Sequence, residues 1–87
     1  MTNHDAMRKA LRAHLAWDIA ERECPSKSTT FHQRMELCNY AQYLTRKALG
    51  EDAEYQGVPR IFLTPNPELV RATVDECEVI IDETFAK

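Results

Sequence analysis

His14 and Asp18 stand four residues apart, so any helix that contains both sets them side by side on one face. Such a pair could polarise the imidazole for proton transfer or supply two ligands to a metal. The plainer reading is a histidine satisfied by its own helix at the edge of a core. A zinc site needs further ligands that only tertiary folding could bring, so no metal and no cofactor are expected. Cys24, Cys38 and Cys77 are an odd count, widely spaced, with no CxxC pair. Reduced, partly buried thiols in a cytoplasmic protein are expected, rather than a disulfide framework. There is no GxSxG, P-loop, GxGxxG or HExxH pattern. Gly50 and Gly57 are the only glycines, too few for a backbone phosphate cradle. The chain is not expected to be an enzyme.

Two other constellations have the residue types for binding. Asp75, Glu78 and Asp82, flanked by Glu76 and Glu83, fall at helical spacing and form a negative stripe about two turns long. Such a stripe draws a basic surface and speeds encounter; a solvated helix face that keeps the domain soluble is the alternative. Tyr55, Arg60 and Phe62, in the irregular 55–64 segment, join the stripe in the expected contact surface. The second constellation is Arg12, Lys27, His32 and Tyr43, with Arg8, Arg22 and Tyr40 nearby in the chain. Cationic and stacking groups of this kind could hold an anionic, nucleotide-like ligand between packed helical hairpins of an oligomer.

The net charge of −3 conceals a segregation. Residues 1–50 carry eight Lys/Arg against five Asp/Glu, residues 51–67 one against three, and residues 68–87 two against six. No basic stripe of the kind nucleic-acid binders use is present, so direct contact with DNA or RNA is not expected. Apolar residues make up 44% of the chain, enough to argue against disorder. Their uninterrupted runs are too short to span a bilayer, so no membrane partner is expected. The first residues are too polar for a secretory leader.

These groups must be positioned by a small all-α domain occupying residues 1–87, because three amphipathic stretches account for most of the sequence. The first helix is expected at about 5–24, capped by Asn3 or Asp5 and ended by Pro25. It carries two apolar rows: Met7, Leu11, Leu15 and Ile19, and beside it Ala6, Ala10, Ala13, Trp17, Ala20 and Cys24. Two rows imply two neighbours. Lys9, Arg12, Ala16 and Glu23 fall on the arc expected to face water. A polar turn leads to a second helix at about 30–49, where Thr30 and Gln33 have the capping-box spacing and Gly50 suits the left-handed position after the end. Its expected buried face is Phe31, Met35, Leu37, Cys38, Ala41, Leu44, Thr45, Ala48 and Leu49. His32, Glu36, Asn39, Tyr43 and Lys47 lie opposite, and Tyr40 at the border should keep its hydroxyl in water.

Residues 50–66 are expected to be irregular, with an extended crossing segment at about 58–65 that packs across the hairpin or pairs with a second strand outside this chain. Asn66, Pro67 and Glu68 open a third helix to about residue 85. Leu69, Val70, Thr73, Val74, Cys77, Ile80, Ile81, Thr84 and Phe85 share its apolar face, which closes the open side of the helical hairpin. The expected product is a three-helix bundle acting as a non-catalytic protein-binding module. An inhibitor, immunity-type or adaptor protein that masks a surface of a larger protein fits best, with a homo-oligomer as the other possibility.

Overall fold

The computed structural model describes residues 3–23, 30–52, 55 and 67–86. Among the described residues there are three helices: α1 at Asn3–Arg22, α2 at Phe31–Ala48 and α3 at Pro67–Phe85. This is the small all-α architecture expected. The crossing segment at 58–65, the Pro25 turn, Cys24 and the Asn66 cap lie outside the described residues.

Local chemistry sets the helix ends. At the start of α2, Thr30 Oγ1 accepts from the Gln33 amide at 3.1 Å, and Gln33 Oε1 accepts from the Thr30 amide at 2.7 Å. Two orphan donors are thereby satisfied at once. At its end, Gly50 adopts φ 89°, its amide donates to the Lys47 carbonyl and the Glu51 amide donates to that of Arg46. This is the Schellman pattern, with Arg46 and Lys47 placed on the negative end of the helix dipole. The first helix is already under way at Asn3, so Asp5 is a first-turn acid rather than a cap. It ends at Arg22, two residues before the position expected.

α1 and α2 pack closely as antiparallel neighbours. His14 Nε2 lies 2.8 Å from Thr45 Oγ1, and Arg34 Nε lies 3.3 Å from Glu21 Oε1, fixing the register at two heights. The seam between them is built from small residues. Ala10, Ala13, Ala16 and Ala20 are buried on α1, against Leu37, Tyr40, Ala41 and Leu44 of α2. α3 contributes Cys77 and Ile81 to the same core and lies more lightly on the pair.

Burial reverses several expectations. The larger row of α1 is the one left outside: Leu11 is 68% exposed, and Met7 and Leu15 are about half exposed. Ala16, expected to face water, is 1% exposed. An alanine ridge lets two helix backbones approach closely, so both neighbours settle on it, and the bulkier row is turned away. On α2 the buried stripe is rotated in the same manner. Phe31, Met35 and Leu49 are exposed, while Arg34 and Glu36, on or beside the expected polar face, are buried. Glu36 tolerates burial because the Tyr55 hydroxyl donates to its Oε2 at 2.6 Å and His32 Nε2 sits 3.4 Å from its Oε1. Tyr40 is also buried, and its hydroxyl donates to Glu78 instead of to water.

The molecule measures 37 × 36 × 17 Å, broad and shallow. A slab this thin has little interior. Among the described residues Leu37 and Cys77 are the largest side chains that are fully enclosed.

Candidate docking site

The acidic residues of α3 divide into two sets. Asp75, Glu76, Asp82 and Glu83 are exposed, and at ±3 and ±4 they surround Val79, itself exposed. Glu78 belongs to the other set. It accepts from the Tyr40 hydroxyl and stands 3.0 Å from Lys9 Nζ, bridging all three helices. The expected stripe through Asp75, Glu78 and Asp82 is thus replaced by a square of four carboxylates turned about one quarter of the helix away. Glu76 also accepts from Gln33 Nε2, and Asp82 has Arg12 at 3.9 Å.

Beside that square a groove of about 640 Å³ runs between α1 and α3. Its floor is Ala16, Ile19 and Ala20 from α1 and Ile80 and Thr84 from α3, with Val79 on the wall. Glu23 rims one side and Glu76 and Glu83 the other, with Gln33 closing the end near α2. Ala16 and Ala20 form its almost enclosed bottom, and Ile19, Val79, Ile80 and Thr84 line its open part. The three carboxylates make the rim negative. Glu23, Ile19 and Val79 had no part in the expected contact surface. Val79 was legible, since its four nearest helical neighbours are all acids; the pairing of Ile19 with α3 was not, because it depends on how the helices cross.

The remaining candidates are scattered or inward. Tyr55 is packed into an aromatic cluster, 5.4 Å edge-on to Tyr40 and 5.6 Å from Tyr43, with its hydroxyl spent on Glu36. It packs against the core and is partly buried. Arg60 and Phe62 lie outside the described residues, as does Lys27. Among the described residues the members of the ligand constellation make separate contacts. Arg12 lies 4.7 Å over the Phe85 ring, His32 sits with Glu36 near the start of α2, and Tyr43 stacks on Tyr40. His14 and Asp18 have separate partners too, Thr45 for the first and Arg22, at 2.9 Å, for the second.

Two phenols and one thiol in the core hold their protons. Burial, then the hydrogen bonds to Glu78 and Glu36, push the Tyr40 and Tyr55 phenols far above their ordinary value near 10. Burial pushes the Cys77 thiol up to about 12, with Glu36, Glu76 and Glu78 adding to the effect. Among the described residues no cluster of three metal-ligating side chains occurs, and no helix is long and apolar enough to cross a membrane. No protein-family model, curated protein or solved structure matches the chain.

Proposed function

We propose that this chain is a non-catalytic protein-binding module, of the inhibitor or adaptor kind, that docks a basic amphipathic helix in the groove between α1 and α3. The observation that carries the reading is the groove itself, an apolar floor of small and β-branched residues under a rim of Glu23, Glu76 and Glu83. Helix-in-groove recognition needs this combination: an apolar channel for the i, i+4 anchors and flanking charge to orient them. Cys77 supports the non-catalytic part. Activated thiols are lowered by neighbouring cations, whereas burial and carboxylates raise this one. The unpaired thiols of Cys38 and Cys77 suit a reducing, cytoplasmic setting.

Fluorescence anisotropy with a labelled leucine–lysine amphipathic peptide tests the proposal. The chain should bind it, more weakly as salt is raised. Glu76→Lys with Glu83→Lys should weaken binding about tenfold, two reversed rim charges at roughly 1 kcal/mol or less each. Affinity unchanged by the double reversal would sink the groove as the contact surface.

A further inference from the structure

We infer that the helix this groove receives is the N-terminal half of α1 from a second copy of the chain, the two copies engaging each other reciprocally about a twofold axis. The inference rests on the groove reading above and names its occupant.

α1 carries both halves of the contact. Met7, Leu11 and Leu15 form an uncovered i, i+4 ridge at 49%, 68% and 46% exposure. Ile19, one further step along the same ridge, lies in the groove floor. A second depression of about 320 Å³ flanks the first part of the ridge, with Phe85 from α3 completing it. The ridge therefore passes without a break from an exposed apolar rib into a groove. Its charges change sign along the way. Arg8 and Arg12 line the rib, while Glu23, Glu76 and Glu83 rim the groove.

This arrangement is complementary to itself in one orientation. With the two α1 helices antiparallel and the twofold passing between Leu15 and Ala16, Arg8 of each copy comes opposite Glu23 of the other. Leu15 and Ile19, which share that side of α1 with Arg8 and Glu23, fall between the two charges at the centre of the contact. Each contact occurs twice, as an isologous interface requires. Identical i±4n ridges interdigitate in the commonest class of helix packing. A parallel pairing would instead set Arg8 against Arg8 and leave the carboxylates facing one another. Size is consistent as well. α1 is about 30 Å long and, with α3 beside it, the face is about 20 Å wide. That plan area, roughened by side chains, approaches the roughly 800 Å² per partner of a stable interface. Among the described residues this ridge is left about half exposed or more, and a second copy laid on it would cover it.

Sedimentation equilibrium of the full chain is the test. The native chain should sediment at twice its 10.1 kDa. Arg8→Glu and Glu23→Lys should each raise the dimer dissociation constant about tenfold or more, since each acts at two symmetric places. The double variant, Arg8→Glu with Glu23→Lys, should recover most of the loss. Leu11→Asp should give a monomer with unchanged far-ultraviolet circular dichroism, and that monomer should bind the leucine–lysine peptide more tightly than the native chain, its groove being vacated. A native chain that is monomeric at every concentration overturns the inference. If that monomer binds the peptide, the groove reading stands; if it does not, both fall. A dimer indifferent to the two charge reversals also overturns the inference, because its seam lies elsewhere.

Discussion

α1 presents two rows of apolar residues a quarter-turn or more apart, and the protein treats them in opposite ways. The row of Ala10, Ala13, Ala16 and Ala20 is buried almost completely. The row of Met7, Leu11 and Leu15, which has more apolar surface to hide, is left about half exposed or more. Transfer free energy alone would reverse the choice, because burying a leucine is worth about 1.5–3 kcal/mol and an alanine much less. The alanine row wins because it permits something leucines forbid. Two helices can lie close on it at once, so Leu37, Tyr40 and Leu44 of α2 and Cys77 and Ile81 of α3 all reach the same seam. What is left outside is then free to serve association.

That contrast can be broken by experiment, beginning where the effect is largest. Leu37→Ala, opposite the alanine row and fully enclosed, should cost about 2–5 kcal/mol in urea denaturation. A loss below about 1 kcal/mol would mean the seam is loosely packed and the alanine row is not special. Ala13→Leu, at 0% exposure, should destabilise by about 1–3 kcal/mol through overpacking. Leu11→Ala in the outer row should stay within about 0.5 kcal/mol at concentrations where the chain is monomeric. Equal effects at positions 11 and 13 would erase the distinction between the rows.

The polar lining of the seam sharpens the comparison through pH. Tyr40 and Tyr55 are raised in the folded state, so folding holds their protons more tightly than the unfolded chain does. Their contribution is fully present below the unfolded value near 10 and is lost as the pH climbs above it toward their folded values. Denaturation midpoints should therefore be level through neutral pH and fall above about pH 10, with the fall reduced in Tyr40→Phe. The smallest perturbation uses no substitution. Iodoacetamide at pH 8 should label Cys38, which is partly exposed, and leave Cys77 intact until denaturant is added. Rapid native labelling of Cys77 would show that α3 does not seal the core.

The three helices were legible because their signals are local. The Thr30–Gln33 capping box, Gly50 after α2 and the i, i+4 spacing of Leu69, Thr73, Cys77 and Ile81 each fall within one or two turns. Which face of a helix is buried was less legible, since it depends on two helices jointly. Phe31 and Leu49 read as core by hydrophobicity but lie off the side of α2 that carries Leu37, Ala41 and Leu44, and both are exposed. Glu36 reads as surface by charge, yet Tyr55, nineteen residues on, supplies its hydrogen bond. The same limit applies to the site. Four of the five acids assigned to the contact surface are exposed, and Glu78, the fifth, was misplaced because its partners Tyr40 and Lys9 come from the other two helices. The groove could not be foreseen from spacing at all, since its two walls meet only through the crossing of α1 and α3.

Gln33 carries a consequence of a different kind. Its carbonyl oxygen closes the first turn of α2, and its amide nitrogen holds Glu76 near the middle of α3. One side chain thus belongs to a helix start and to a tertiary tether. When the first turn of α2 frays, that tether is released with it, so the two regions should open as one cooperative unit rather than separately. Hydrogen exchange at the amides following Thr30 and at those around Glu76 would then follow a single opening equilibrium. The acid-rimmed wall of the groove would be only as persistent as the end of a neighbouring helix.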